Sequence, residues 1–466
     1  MQKGKSINAF VLTMISIAAI LSIRNWTPTA EYGLSSIFYI ILASGVFFIP
    51  LSLTVAELAT GWPHKGGVYA WVREALGERM AFLAVWFFWT ENVAWYPIIL
   101  AFISSSLAYS FDPTLSQNPV YTFLVSITTY WIITFLNLCG MKVSGFLSSL
   151  FVLLGTLLPG VLIILFGCAW FFQGLPLYIT FSWDTLVPTF TTTSQLVFLS
   201  LMILSFCGIE MSGVHAEDVE EPKSAYPKAI FATATIMIIA TILGTLSISI
   251  VIPPSKLSLL SGIMDSISIF LNQFGMSSAI PLFALALAIG SLGGVTTWTA
   301  GPSRGLAAAA LRGDLPLFFQ KINRHNMPVT IMIFQAAIVT VLSSLYLFLP
   351  SLNTAFVVLS VLTLDLTLFM YLLLFTSLIV LRIKKPHFPR PFTIPGKMTG
   401  TWIVALLGFF SSIFAFAISL IPPPDIKPGM EIRYWTYLGI GLILFILIPF
   451  FILAFKNDGW KPIQKS

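Results

Sequence analysis

Five ionisable residues lie inside long apolar stretches of this sequence, where a charge is costly unless it is paired or functional. They are Arg24, Glu57, Glu91, Glu210 and Asp365. A guanidinium keeps its proton, so Arg24 must meet a carboxylate or face water. The chemistry open to such residues is the binding of charged groups and, for the carboxylates, the exchange of protons.

Two of these charges coincide with interruptions of an apolar segment. The first interruption covers residues 24–28 and includes Pro28, and the second covers residues 207–213 and holds two glycines. Broken backbone is tolerated in a bilayer only where it is buried in protein or lines a cavity. The exposed N–H and C=O groups of half-helices suit a carboxylate and an ammonium group. A kink without function would explain either break alone, but the matched pair predicts a substrate site of a secondary transporter.

The residues expected to bind substrate come from the two breaks and from two later spans. They are Arg24, Trp26, Cys207, Gly208, Ile209, Glu210, Trp298, Thr367 and Tyr371. Thr367 and Tyr371 are spaced i and i+4 on one helix face, whereas Asp365 points roughly 200° away from Thr367. Trp298 and Tyr371 are candidate aromatic gates, although packing is the alternative explanation for most aromatic residues here.

The remaining carboxylates, Glu57, Glu91 and Asp365, are candidates for gating or for charge pairing. Glu91 is a possible ion-pair partner of Arg24; in the alternative, Arg24 binds an acidic substrate side chain directly. Glu210 has three open roles, which are binding substrate, bridging the half-helices and exchanging a proton.

Composition places the chain in a membrane. Hydrophobic residues make up 57% and charged residues 9% of the sequence, and the mean hydropathy is +0.93. We therefore predict an all-α integral membrane protein with twelve transmembrane helices. The predicted spans are 8–30, 34–60, 80–110, 120–139, 147–173, 194–216, 228–252, 279–311, 329–349, 352–382, 400–421 and 433–455.

Charge placement predicts the orientation of these spans. With the N-terminus inside, most of the 24 Lys and Arg residues fall in cytoplasmic segments, so we expect both termini in the cytoplasm. This distribution explains the net charge of +6 without a nucleic-acid partner. The scattered cysteines and histidines predict no metal site and no cofactor. The sequence does not specify an oligomeric state.

The spans divide into a single transporter domain, residues 1–455, followed by a short cytoplasmic tail, 456–466. Residues 8–173 and 194–382 each begin with a broken span, as expected of two five-helix repeats with inverted topology and discontinuous helices 1 and 6. Residues 400–455 supply the last two spans.

Several motifs resemble those of the amino acid–polyamine–organocation transporters, and of the bacterial glutamate/GABA antiporters in particular. They are Pro63-x-x-Gly66-Gly67-x-Tyr69-x-Trp71, Gly208-Ile209-Glu210, Trp298-Thr299-Ala300-Gly301-Pro302-Ser303-Arg304-Gly305, Met327-Pro328-Val329-Thr330 and Arg390-Pro391-Phe392-Thr393-Ile394-Pro395-Gly396. The resemblance implies a five-plus-five inverted repeat, alternating access, and exchange of an amino acid such as glutamate for a product such as GABA. It also implies a bacterial inner membrane.

The chain departs from that family at the expected pocket. Arg24 stands where those antiporters have a tyrosine, Thr367 replaces one of two tyrosines, and Gly294 replaces an acidic residue. Glu91 and Asp365 occupy positions expected to be apolar. The charges expected in this pocket therefore differ from those of the glutamate/GABA antiporters, and its ligand need not be glutamate.

Other functions are less consistent with the sequence. A proton-coupled or facilitated uptake permease is the main alternative, weakened by the absence of lysine from residues 146–172. A membrane enzyme would need a nucleophile with a supporting base, and His215 with Glu217 or Asp218 does not supply one. Matched broken helices favour a closed central site over a channel.

The glutamate/GABA antiporters carry a C-terminal segment that closes the cytoplasmic side at neutral pH, and no counterpart follows Trp460. We therefore expect substrate exchange in proteoliposomes to persist from pH 5 to pH 8. A sharp loss of exchange at neutral pH would contradict this expectation.

Overall fold

The computed structural model describes residues 7–63, 67–140, 150–151, 153–188, 194–422, 426, 429 and 431–460. The start of the fifth predicted span, part of the Pro63–Trp71 motif and the last residues of the predicted tail lie outside these ranges. The described residues contain no strand beyond two isolated β-bridges, so the all-helical prediction is confirmed there.

Helices in the first half of the chain follow one another with short connections. They are α1 (Ala9–Ile20), α2 (Trp26–Ala30), α3 (Ser36–Ala43), α4 (Ile49–Gly61), α5 (Val68–Leu76), α6 (Glu78–Ala108), α7 (Pro119–Leu138), α8 (Leu158–Phe172) and α9 (Trp183–Leu186). A π-helical turn, Ser44–Phe48, joins α3 to α4, and residues 33–61 form one continuous helical span.

The second half continues the same pattern. Its helices are α10 (Ser194–Leu204), α11 (Pro222–Ser249), α12 (Gly262–Gln273), α13 (Ile280–Ala310), α14 (Val329–Ser343), α15 (Leu345–Phe348), α16 (Leu352–Lys384), α17 (Lys397–Ser419) and α18 (Glu431–Ala454). The proline-rich connector between α16 and α17 contains no helix in the structure.

Nine helices in the described residues are long and apolar enough to cross a membrane, or ten if a bent pair counts as one span. This number establishes a multi-pass membrane protein but falls short of the twelve spans predicted. α6 has sufficient length, 31 residues, but its polar and charged residues lower its hydropathy. The sixth predicted span forms only a shorter apolar helix, residues 199–213, because its backbone leaves the α-conformation there.

The first interruption is real but lies earlier than predicted. The chain leaves α1 at Leu21 and Ser22, and the segment 23–30 is tilted by 52° relative to α1. Pro28 does not cause the break. It occupies the first turn of α2, where backbone N–H groups have no intrahelical acceptor and a missing donor costs little.

The second interruption follows α10. Gly208 adopts φ +113°, which L-residues with a side chain rarely take, and a 3₁₀-helix runs from Ile209 to Asp218. A Cβ atom on Gly208 would lie 3.2 Å from the carbonyl oxygen of Ala19 in α1. The two breaks therefore touch, and the absence of a side chain at Gly208 permits their contact.

α16 forms the centre of the molecule, since 83% of its most apolar window is buried inside the protein. It packs against α6, α17 and α18, while α11 packs against α1 and α8. The helices that border the two breaks are thus held by neighbours on several sides.

Trp26 packs between two of these helices. Its indole ring lies against Gly160 of α8 and Gly244 of α11, and only 2% of Trp26 is exposed. A Cβ atom on Gly244 would approach the ring to 2.3 Å. The glycine at this position allows α11 to approach the segment that carries Arg24.

We predict that Gly244→Ala destabilises the protein by about 1–3 kcal/mol, because the added methyl group overpacks the Trp26 ring. Gly439→Ala in α18 is the matched control, since nothing lies within 4 Å of its Cβ position. Thermal unfolding of the purified variants in detergent measures the difference. Equal melting temperatures for the two variants would show that the Trp26 contact is not tight.

Candidate functional site

A cavity of about 100 Å³ lies where the two breaks meet α6, α13 and α16. Residues from both breaks and from all three helices form its walls. They are Ala19, Ile20, Ser22, Arg24, Asn25, Glu91, Asn92, Trp95, Leu204, Cys207, Gly208, Glu210, Trp298, Thr363 and Thr367. Residues far apart in sequence are therefore brought to one polar space.

The Arg24 guanidinium lies in this cavity and is only 4% exposed. Its Nη2 is 3.5 Å from Asn25 Oδ1, and its Cζ lies 5.5 Å from the centre of the Trp95 ring. Its Nε and Nη1 have no hydrogen-bond partner in the described part of the chain. A buried, undersatisfied cation is costly, and a carboxylate bound in the cavity would satisfy it.

Glu91 reaches the same cavity from α6. Its carboxylate accepts a hydrogen bond from the side chain of Asn92 and lies 3.2 Å from the Thr367 hydroxyl oxygen. The structure shows no direct ion pair between Glu91 and Arg24 among the described residues. Both charges therefore remain available to a bound ligand in this conformation.

Tyr371 connects the second break to α16. Its hydroxyl donates a hydrogen bond to Glu210 Oε2 at 2.8 Å and accepts one from the backbone N–H of Gly208 at 3.0 Å. This pair of bonds supplies a partner for an N–H group that the interrupted helix leaves free. Glu210, which is 4% exposed, thereby acquires a donor inside the protein.

Several predicted site residues lie elsewhere. Trp26 packs against glycines of α8 and α11, away from the cavity walls, and Ile209 is 1% exposed with no place in those walls. Tyr371 acts through its hydroxyl without contributing to the lining. The prediction of substrate contact is therefore supported by geometry for Arg24 but not for Trp26.

Glu57 belongs to a separate charge cluster at the end of α4. Its carboxylate pairs with Arg382 Nε at 2.6 Å and with Arg390 Nε at 3.4 Å. It also accepts a hydrogen bond from the backbone N–H of Ile394 at 2.8 Å. Glu57 therefore fastens the connector between α16 and α17 to the end of α4.

Asp365 faces α17, in keeping with its predicted direction away from Thr367. Its Oδ1 accepts a hydrogen bond from the Ser419 hydroxyl at 2.7 Å, while Oδ2 has no partner in the described residues. No cation pairs with Asp365 within this part of the structure. The described residues therefore supply no cation to pair with Asp365, as the charge-pair interpretation requires.

Eight residues of the cavity wall were not among the predicted site residues: Ala19, Ile20, Ser22, Asn25, Asn92, Trp95, Leu204 and Thr363. Two of them follow from helical spacing, since Trp95 is i+4 from Glu91 and Thr363 is i−4 from Thr367. Trp95 and Thr363 could therefore have been predicted as the residues one helical turn away from Glu91 and Thr367.

Charge and shape define what the cavity can bind. It presents one guanidinium, two carboxylates and the carbonyl end of α1, which favour a small ligand carrying both a carboxylate and an ammonium group. Within the described residues, no group of His, Cys, Asp and Glu side chains is arranged to hold a metal ion.

We predict that Tyr371→Phe loosens the second break, because Gly208 and Glu210 both lose a buried hydrogen-bond partner at a cost of about 1–3 kcal/mol. Hydrogen exchange of the peptide covering residues 205–213, followed by mass spectrometry, should accelerate by about tenfold or more. Tyr437→Phe in α18 is the control and should leave this peptide unchanged. Unaltered exchange in Tyr371→Phe would refute the proposed attachment.

Comparisons with known proteins agree with this arrangement. The family model for amino acid permeases matches residues 7–453. The chain is 40% identical over 454 residues to an uncharacterized transporter of Legionella pneumophila, with 97% of each chain covered. It is 32% identical over 468 residues to a glutamate/gamma-aminobutyrate antiporter of Lactococcus lactis, covering 99% of this chain and 93% of the relative. It is also 25% identical over 462 residues to a probable agmatine/putrescine antiporter of the same species, covering 98% of this chain and 96% of that relative. The chain therefore belongs to the amino acid permease family of the amino acid–polyamine–organocation superfamily, whose members are membrane transporters and not enzymes.

Proposed function

We propose that this protein is a secondary active transporter that exchanges an acidic or related amino acid for a product such as GABA by alternating access. The site is the cavity between the two breaks. The similarity to a glutamate/gamma-aminobutyrate antiporter supports exchange of this class of substrate. The differences at Arg24 and Glu91 leave the particular pair of amino acids open.

The observation that carries the proposal is the Arg24 guanidinium, which is buried in the cavity and has two nitrogens without a hydrogen-bond partner among the described residues. A planar guanidinium binds a carboxylate through two parallel charge-assisted hydrogen bonds. The ammonium group of the same ligand would then approach Glu91 or the free carbonyl groups at the end of α1. An amino acid satisfies both requirements at once.

The same geometry supplies a reason for exchange. An empty cavity leaves the Arg24 charge buried and undersatisfied, so a closed state without ligand is penalised. Ligand binding removes part of this penalty and favours closure. A carrier that closes readily only when its site is occupied must bind a second substrate molecule before it can change back to its first conformation. This requirement produces exchange, which is the behaviour of an antiporter.

The proposal includes twelve spans arranged as two five-helix inverted repeats, residues 8–173 and 194–382, followed by residues 400–455. Interrupted helices at the start of both segments support this arrangement. We place the protein in a bacterial inner membrane with both termini in the cytoplasm, on the basis of the basic residues in the predicted inner segments.

A proton-coupled or facilitated uptake permease is the alternative. Glu210, held by the Tyr371 hydroxyl next to the cavity, favours it to the extent that a buried carboxyl group can carry a proton. Counterflow separates the two functions. Proteoliposomes preloaded with unlabelled amino acid accumulate labelled glutamate if the protein exchanges, whereas a symporter accumulates it in empty vesicles under a pH gradient.

We predict that Arg24→Lys reduces glutamate counterflow by about tenfold or more, because a lysine cannot reproduce the two parallel hydrogen bonds to a carboxylate. Arg433→Lys, at an exposed position of α18, is the matched control and should exchange normally. Preloading with glutamate, glutamine or GABA in separate experiments identifies the preferred counter-substrate. Near-normal counterflow in Arg24→Lys would remove Arg24 from the binding site.

A further inference from the structure

A second cavity, of about 190 Å³, lies apart from the candidate substrate site, between α6, α13, α14 and α18. Its walls consist of apolar and aromatic side chains, which include Trp86, Trp89, Leu306, Phe334, Ile338 and Ile448. None of these residues takes part in the proposed transport site.

The polar atoms of the two tryptophans are engaged elsewhere. Trp86 Nε1 donates to the carbonyl oxygen of Phe445 at 2.9 Å, and Trp89 Nε1 donates to Gln335 Oε1 at 2.6 Å. The indole rings therefore present hydrocarbon to the cavity. Apolar cavities of about 150 Å³ remain free of water and bind small hydrophobic molecules, so this space suits hydrocarbon.

The cavity is accessible from the outer surface of the helix bundle. Phe334 is 43% exposed and Ile448 is 37% exposed, and both line the cavity. In a membrane-spanning protein such a surface meets acyl chains. A chain could enter sideways between α14 and α18 without crossing a polar layer.

Two exposed basic residues follow a wall residue of this cavity closely in sequence. Phe319 is in its wall, and Lys321 follows two residues later, exposed, with Nζ 5.3 Å from the centre of the Phe318 ring. Arg324 is also exposed and donates to His325 Nε2. Neither cation has a carboxylate partner in the described part of the chain, in contrast to Lys456, which pairs with Asp314 at 2.6 Å.

We propose that this cavity binds one acyl chain of an anionic membrane glycerophospholipid, whose phosphate group interacts with Lys321 and Arg324. The apolar walls select a hydrocarbon chain, and the unpaired basic side chains select a negative headgroup over a zwitterionic one. The bound lipid fills the space beside Trp89 and so supports the part of α6 that carries Glu91 two residues further on.

Native mass spectrometry of the delipidated protein tests the proposal with two probes, palmitoyl-oleoyl phosphatidylglycerol and palmitoyl-oleoyl phosphatidylcholine. We expect phosphatidylglycerol to be retained about 25-fold more, because each of the two basic residues near an anionic headgroup contributes about one kcal/mol, or about fivefold. Thermal shift should show a larger increase in melting temperature with the same lipid.

Two variants separate the contributions of chain and headgroup. Ile338→Phe fills the cavity and should abolish the phosphatidylglycerol adduct, whereas Ile333→Phe, a 45% exposed control on the same helix, should not. Lys321→Gln should reduce the preference for phosphatidylglycerol by about fivefold. Lys228→Gln, exposed on α11, is its control.

Equal retention of the two lipids by the wild-type protein would overturn the proposal, as would an undiminished adduct in a well-folded Ile338→Phe variant. If Ile338→Phe does not give monodisperse protein, Lys321→Gln and the comparison of lipids on the wild type decide the question. The two control variants, Ile333→Phe and Lys228→Gln, should transport normally. Lipid retention is measured without transport, so the outcome of this test does not depend on the proposed function.

Discussion

Burying charge inside apolar surroundings is the constraint on which the rest of this structure depends. A buried ion needs partners, and the protein supplies them unevenly. Within the described ranges, Glu57 has two arginines and a backbone N–H group as partners, whereas Glu91 has only the neutral donors Asn92 and Thr367, and Arg24 has a long contact with Asn25. Arg24 and Glu91, which are incompletely paired among the described residues, both lie in the cavity, whereas Asp365 is incompletely paired beside α17. The deficit at Arg24 and Glu91 is the feature that a zwitterionic ligand would correct.

Interrupted helices make this arrangement possible, and the sequence predicted their presence more reliably than their position. Charged residues and glycines in apolar segments indicated both breaks, because few other structures tolerate them at that depth. The first break was predicted too late in the sequence because Pro28 was taken as its cause, whereas Pro28 is accommodated in the first turn of a new helix. The twelve predicted spans include α6, but its polar and charged residues exclude it from the nine helices of the described residues that are apolar enough to cross a membrane.

The sequence did not show toward which neighbouring helix each side chain points, and this limited the prediction of which residues line the cavity. Trp26 and Trp95 are both tryptophans near charged residues, but Trp26 fills a gap between two glycine-bearing helices while Trp95 covers Arg24. Distinguishing them requires the rotation of each helix about its axis and the identity of its neighbours. Short-range spacing supplied the rotation correctly for Asp365 and Thr367, because both lie on one uninterrupted helix, α16. No local pattern supplies the partner of Glu57, which comes from residues more than 300 positions away.

The length of α16 has a mechanical consequence. Tyr371 attaches this helix to the unwound segment at Gly208, and Arg382, three turns later, attaches it to Glu57. At 1.5 Å per residue these two attachments are separated by about 16 Å along a single rigid rod. Because α16 is continuous, a displacement of the Gly208 segment along that axis would also move the end of α16 that is attached to Glu57, so this one helix joins the cavity to the α16–α17 connector.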